Sequence, residues 1–114
     1  MYTIKKNREF RSVYSAAPSL ADKYLVLYYT ENQTTESRFG ISVSGKVGHA
    51  VVRNKIKRRI KEILRLKHDR IEQGYDIIFI VRVRAADASY DRLNKSVTKL
   101  LSDANLIIQQ AAEQ

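Results

Sequence analysis

Apolar residues recur with helical spacing between residues 50 and 67. At about 100° per residue, they fall within one arc of a helical wheel. The residues of this arc are Val52, Ile56, Ile60, Ile63 and Leu64. The opposite side of the wheel carries the polar residues Asn54, Arg58, Lys61 and Arg65. The pattern predicts a basic helix from about Ala50 to Lys67, with one face packed on a core and the other presenting cations.

Three other segments have the aromatic and β-branched composition of strands. They are Tyr24 to Thr30, Arg38 to Ser44 and Tyr75 to Arg82. The near-continuous apolar run of the third segment is typical of a strand buried on both faces. Only the polar stretch ENQTTES separates the first two segments. We therefore expect these two strands to pair as a hairpin.

Two more stretches have helical patterns, and they complete the predicted order. One runs from Asn7 to Ser15, and the other begins at Ser89. The second places six apolar residues along one side: Leu93, Val97, Leu100, Leu101, Ala104 and Ile108. The order α-β-β-α-β-α predicts an α+β domain in which a strand-helix-strand crossover carries the basic helix. A chain of 114 residues is long enough for one such domain, which we place over residues 1–114.

The alternating faces of the predicted strands suggest a binding surface. Successive side chains of a strand point to opposite faces of its sheet. One shared face would combine the larger Tyr24, Val26 and Tyr28 with the small Gly40, Ser42 and Ser44. Small residues beside aromatic rings form a shallow trough, in which a single strand of RNA can lie and stack.

Positive charge is concentrated in one segment of the chain. Residues 46–70 hold ten of the 21 Lys and Arg residues against two acids, and so carry +8 of the formal net charge of +9. A surface of this kind is suited to a polyanion. A helix that lies on a membrane usually carries bulky Trp or Phe on its apolar face. This one carries Val, Ile and Leu, and no apolar run approaches the ~20 residues of a membrane span. Nucleic acid is therefore favoured over a membrane.

The chain offers little for protein-based catalysis. It contains no cysteine, which excludes disulfides and thiolate chemistry and suits a reducing cytoplasm. Its two histidines, His49 and His68, lack the companions of a zinc site or of an acid–base pair. Its carboxylates are scattered and form no close cluster for two metal ions. We therefore expect no catalytic and no metal-ligating residue, and a cytoplasmic location.

Several motifs carry a resemblance to a known family. They read FGISVS from Phe39, KVG from Lys46 and AVVRNKIKR from Ala50. An EF-x-x-V-Y pattern that contains Phe10 and Tyr14 and a YLVLYY strand accompany them. Together they closely resemble the bacterial ribonuclease P protein subunit, and the resemblance covers essentially the whole chain. The central motifs are long and specific, unlike a chance basic patch.

The resemblance implies a function and adds one strand to the fold. The family protein is the small subunit of a ribonucleoprotein that removes 5′ leaders from precursor tRNA. Its RNA subunit performs the hydrolysis with magnesium, so the ion is expected mainly on the RNA. The implied partners are the catalytic RNA subunit and precursor tRNA. The family fold has a four-stranded sheet, so we expect a short edge strand near Leu20 and the order α-β-β-β-α-β-α.

The resemblance also implies two sets of binding residues. The positions carried over for the RNA subunit are Arg53, Asn54, Lys55, Lys57, Arg58 and Lys61, and the helical wheel adds Arg65 to the same face. The positions carried over for the leader-binding cleft are Phe10, Tyr14, Val26 and Tyr28, with Lys57 at the border of both surfaces.

Some positions of the basic helix depart from the family pattern or from its polar face. Lys55 stands where the family usually has Arg, so the charge is kept and the bidentate fork is lost. His49 stands where the family usually has Asn, a better N-cap. Arg53 and Arg59 project nearer the apolar arc, and we expect Arg59 to pack or pair within the protein.

Two alternatives from other classes remain open. One is a general RNA-binding module, such as a ribosomal protein or an RNA chaperone. The other is a helix-turn-helix regulator that inserts the basic helix into the major groove of DNA. The predicted strands directly before the basic helix argue against the regulator, because no positioning helix precedes it.

Overall fold

The computed structural model describes residues 2–4 and 18–108 of the chain. The predicted helix from Asn7 to Ser15, with Phe10 and Tyr14, lies outside the described residues.

The described residues form one mixed sheet with two helices. The strands are β1 Tyr2–Thr3, β2 Ser19–Ala21, β3 Leu25–Glu31, β4 Arg38–Val43 and β5 Tyr75–Val81. The helices are α1 Ala50–Lys67 and α2 Tyr90–Asp103, and the short 3-10 turns are His68–Arg70 and Val83–Ala85. The α+β class is confirmed. So is the short strand near Leu20, and the two-residue β1 adds a fifth strand to the four expected.

The predicted hairpin between β3 and β4 is wrong. The strand order is β1-β4-β5-β3-β2, so β5 lies between them. It pairs antiparallel with β3 and parallel with β4. Ile77, Ile78 and Phe79 of β5 are each 0 % exposed. A strand this apolar on both faces is stable only at the centre of a sheet, and this requirement outweighs the proximity of β3 and β4 along the chain.

The main core lies between one face of the sheet and the two helices. The bounds predicted for α1 are confirmed, and its buried residues are Ile56, Ile60, Ile63 and Leu64. From α2, the core receives Leu93, Val97, Leu100 and Leu101. Ala104 is only partly buried at the C-cap, and Ile108 lies beyond the helix and is 45 % exposed. The predicted apolar side of α2 therefore ends with the helix.

The starts of the two helices differ in their capping. Ser89 is the N-cap of α2, and its side chain accepts a hydrogen bond from the backbone N–H of Arg92. His49 is the N-cap of α1, and its side chain makes no such bond. A side chain at Gly48 would place its Cβ 3.0 Å from the Cβ of Val52. Glycine at position 48 therefore lets the backbone pass close to the side chain of Val52 where the chain enters α1.

No helix among the described residues is long and apolar enough to cross a membrane.

Candidate nucleic-acid interface

The polar face of α1 is a row of exposed side chains. The exposure predicted for Asn54, Arg58, Lys61 and Arg65 is confirmed, and Lys55 is exposed beside them. The first turn of the helix contains no acid. Within the part of the chain that the structure describes, Lys55, Arg58 and Lys61 form no ion pair with a carboxylate. These three cations, the cationic row, are therefore available to an external anion.

Arg65 differs from the cationic row because it is paired within the helix. Its Nε donates to Glu62 Oε1 at 2.9 Å and its second guanidinium nitrogen to Oε2 at 2.6 Å. The hydrogen bonds from Arg65 hold the pKa of the exposed Glu62 carboxyl below its usual range. A phosphate at Arg65 must compete with this carboxylate. Near the end of the helix, partial burial and the charge of Arg70 lower the pKa of Lys67.

Three further cations of α1 are half-buried at the sides of the helix. Arg59 donates from a terminal guanidinium nitrogen to the backbone oxygen of Ala88 at 3.1 Å, which confirms that it pairs within the protein. Lys57 is half-buried. Arg53 Nε is the one buried side-chain nitrogen or oxygen of the described residues without a hydrogen-bond partner. The hydrogen bonding of this guanidinium is therefore incomplete in the protein alone.

The sheet face opposite the helices contains the predicted trough in altered form. The register aligns Tyr28 with Ile78 and Gly40, and Val26 with Ile80 and Ser42, in two adjacent rows. The large and small residues thus share a face, as predicted, but the isoleucines of β5 separate them. Ile78 packs with Ile4 in a second buried cluster, and Tyr28 and Ile80 lie partly buried against it. The floor of this face is therefore apolar along its centre.

Tyr24 and Ser44, which were expected in the trough, lie outside the two rows. Tyr24 precedes β3 because its backbone N–H donates to the Asp22 carboxylate at 2.8 Å, and its ring packs against the main core. Ser44 follows β4 and is exposed. Along the strands, the trough face is thus shorter than the sequence predicts.

An ion pair that was not predicted from the sequence lies at one end of the trough face. Arg38 Nε donates to Asp76 Oδ1 at 2.9 Å, and a terminal guanidinium nitrogen of Arg38 lies 2.5 Å from Oδ2. Asn32 also donates to Asp76 Oδ1 at 3.0 Å. The side chain of Asp76 is 9 % exposed. An acid inside the apolar run of β5 was the available signal, since buried carboxylates require a partner.

Elsewhere among the described residues, no group of three or more His, Asp or Glu side chains is arranged to hold a metal ion.

The fold and the cationic row define a small basic α+β domain with a helix face suited to a polyanion. The family model described as Ribonuclease P matches residues 1–105. The ribonuclease P protein component of Clostridium kluyveri is 48 % identical over 108 residues, which cover 93 % of this chain and 96 % of that protein. Its counterpart from Clostridioides difficile is 46 % identical over 106 residues, covering 92 % and 93 %. The chain belongs to the ribonuclease P protein family.

Solved structures agree with this assignment. The ribonuclease P protein of Staphylococcus aureus superposes with a TM-score of 0.88 at 38 % identity, covering 94 % of this chain and 98 % of that one. The protein of Thermotoga maritima superposes with a TM-score of 0.83 at 29 % identity, covering 90 % and 97 %.

Proposed function

We propose that this chain is the protein subunit of ribonuclease P and assists a catalytic RNA in removing 5′ leaders from precursor tRNA. The cationic row carries the proposal, because Lys55, Arg58 and Lys61 are exposed and unpaired among the described residues. Neighbouring like charges on a helix repel each other. A phosphate backbone that lies along α1 relieves this repulsion and releases its own counterions.

The RNA subunit binds, in this proposal, along the polar face of α1. The phosphate contacts come from the cationic row and from Arg53, which is half-buried at the side of the helix. Asn54 is exposed on the same face and supplies both a donor and an acceptor. Arg65 contributes less, since Glu62 already occupies its guanidinium.

The leader binds, in this proposal, on the trough face of the sheet. Val26 and Tyr28 are half-buried there beside an apolar floor, and the ring of Tyr28 is an aromatic surface of the kind on which a base stacks. Lys57 borders this face and the helix and holds a phosphate between the two. Phe10 and Tyr14, the other proposed leader contacts, lie outside the described residues.

Hydrolysis belongs to the RNA subunit in this proposal, with magnesium bound mainly by its phosphates. Magnesium favours phosphate oxygens and keeps several waters, and a positive helix face lowers the repulsion between the RNA subunit and its RNA substrate. The role of the protein is thus electrostatic and positional.

Reconstitution tests the proposal. The protein, a ribonuclease P RNA subunit, precursor tRNA and magnesium should together release the 5′ leader. The protein freed of RNA should release none. Cleavage by the RNA-free protein that disappears when a single Asp or Glu is replaced would contradict the proposal. So would a failure of the protein to bind the RNA subunit more tightly than an unrelated RNA of equal length.

We expect Tyr28→Leu to weaken the binding of precursor tRNA to the holoenzyme by roughly 1–3 kcal/mol, the scale of a lost base–aromatic stack. Leucine keeps apolar bulk against the second cluster, so the fold should survive. Titrations with precursor and mature tRNA measure the effect, and mature tRNA, which lacks a leader, should bind as before. The matched control is Tyr28→Phe, which keeps the ring and should bind precursor tRNA more tightly than the leucine variant. Equal losses with both tRNAs would show that Tyr28 supports the fold and not the leader.

A further inference from the structure

A second cationic surface lies beside the end of the sheet at which β3 begins and β5 ends. It is a cleft of about 660 Å³ between the turn before β3, the 3-10 turn after β5 and the start of α2. Lys23, Arg84 and Arg92 line it, together with Tyr24 and Asp87. We call these five residues the Tyr24 cleft. Of these five residues, only Tyr24 was considered from the sequence, and there as part of the trough on the sheet.

The positive charge of the Tyr24 cleft is only partly balanced by the acids of the described residues. Among the described residues, Lys23, Arg84 and Arg92 form no ion pair within 4 Å of a carboxylate oxygen. Asp91, the acid next to Arg92, instead pairs with Lys95 at 3.1 Å. Three cations against the single carboxylate of Asp87 leave the cleft with an excess of positive charge.

The aromatic ring at the centre of the cleft is already in contact with cations. The ammonium of Lys23 and the guanidinium carbon of Arg92 each lie 5.7 Å from the centroid of the Tyr24 ring. This distance is near the outer limit of cation–π contact, so either side chain can give way to a base. When a base stacks on the ring, the cation that it displaces would lie beside the phosphate of the same nucleotide.

The turn that carries Lys23 and Tyr24 is rigidly held. Asp22 Oδ1 accepts hydrogen bonds from the backbone N–H groups of Tyr24 at 2.8 Å and Leu25 at 2.9 Å. Asp22 Oδ2 accepts a hydrogen bond from the hydroxyl of Ser96 on α2. The backbone oxygen of Asp22 accepts another from the Arg82 guanidinium at 2.9 Å. A site tied to α2 and to the end of β5 in this way loses little freedom when it binds a ligand.

The position of the cleft beside the basic helix favours RNA as its partner. Arg59 of α1 donates to the backbone oxygen of Ala88, which lines the same cleft. The Tyr24 cleft and the basic helix are therefore joined by a direct contact. An RNA bound along α1 can therefore extend to the cleft across this contact.

We propose that the Tyr24 cleft binds an unpaired nucleotide of RNA, and this inference rests on the proposed function. Its base stacks on Tyr24, and its flanking phosphates contact Lys23, Arg84 and Arg92. Asp87 accepts a hydrogen bond from an amino or imino group of the base, which favours bases with a donor on that edge. The nucleotide comes either from the RNA subunit or from the precursor tRNA, since the chemistry is the same for both.

Binding titrations of the full-length protein test the cleft. The double variant Lys23→Gln and Arg92→Gln should bind the RNA subunit or precursor tRNA at least 5-fold more weakly. The slope of log affinity against log salt should fall by about 1.5 to 2. Tyr24→Leu should also weaken binding at least 5-fold without changing that slope, because a stack carries no counterion, and Tyr24→Phe should bind as the unchanged protein does. The matched control is Lys99→Gln, an exposed cation of α2 outside the cleft.

Two binding measurements separate the possible sources of the nucleotide. A loss in the binding of the RNA subunit alone assigns it to that RNA. A loss confined to precursor tRNA bound by the holoenzyme, absent with mature tRNA, assigns it to the leader. Folding of every variant is checked by denaturant melts. Folded variants that bind both RNAs as the unchanged protein does would overturn the inference, and so would an equal loss in Lys99→Gln.

A tethered probe gives a direct readout. The chain contains no cysteine, so Asp87→Cys offers a single thiol for an iron–EDTA group that cleaves nearby RNA. Strand breaks should cluster in one unpaired segment of a bound RNA. Ser102→Cys, at the far end of α2, is the control and should give a different pattern. Breaks that are no stronger at position 87 than at 102 would overturn the inference. The proposed function fails separately, if the unchanged protein does not reconstitute cleavage at all.

Discussion

Ile60→Ala is expected to lower the free energy of unfolding by about 2–5 kcal/mol, the usual cost of a large cavity in a core. Ile60 is 0 % exposed and lies in the middle of α1. It belongs to the same buried cluster as residues of the sheet and α2, so removing three carbons leaves a void that helix and sheet cannot close without moving. Denaturant melts of the RNA-free protein measure the loss.

The matched control for this variant lies on the same helix. Val51 is 80 % exposed in the first turn of α1, so Val51→Ala should change stability by no more than about 0.5 kcal/mol. Ile60→Val should fall between the two, at about 0.5–1.5 kcal/mol. Ile60→Ala molecules that remain folded should bind the RNA subunit normally. Equal losses for Ile60→Ala and Val51→Ala would mean that the apolar arc of α1 does not hold the domain together.

The basic helix was predictable because its signal is local. Its bounds and its buried face follow from residues three and four positions apart, and the structure agrees with both. The predicted pairing of Arg59 was also correct, because its angle on the wheel places it beside the apolar arc. The Arg65–Glu62 pair was not predicted, although the i,i+3 spacing is the signal for such pairs.

The arrangement of the strands was not predictable in the same way. Adjacent strands usually pair, and that tendency led to the wrong hairpin between β3 and β4. The correct arrangement depends on burying β5 on both faces, which is a property of the whole sheet. The same limit applies to the Tyr24 cleft. Lys23, Arg84 and Arg92 come from three separate segments, and only the folded chain brings them to one cleft.

Although the predicted hairpin between β3 and β4 was wrong, the residues proposed for the leader site still share one face of the sheet. Tyr28 and Gly40 were predicted to share a face from the alternation of side chains along their strands. The insertion of β5 leaves them on one face, because its register aligns Ile78 with both residues. The trough is thus wider than a two-stranded hairpin would make it, and its centre is apolar where small polar residues were expected.

Replacing the cationic row is expected to have the largest effect on RNA binding. The triple variant Lys55→Gln, Arg58→Gln and Lys61→Gln should bind the RNA subunit about 100-fold more weakly near physiological salt, and the slope of log affinity against log salt should fall by about 2–3. Each of these side chains is exposed and unpaired among the described residues, so each can release one counterion on binding. Titrations at several salt concentrations measure both quantities.

The stability of the triple variant should be unchanged or slightly higher, because the three cations contribute no core contact and repel each other.

Arg65→Gln is the control on the same helix. Because Glu62 already neutralises Arg65, the Arg65→Gln variant should lose less affinity for the RNA subunit than Arg58→Gln does. Glu62→Gln should increase that affinity, because it frees the guanidinium of Arg65. If the triple variant remains folded and binds with an unchanged salt slope, the RNA subunit does not lie along this face of α1. If Arg65→Gln costs as much as Arg58→Gln, the pairing with Glu62 does not persist in the complex.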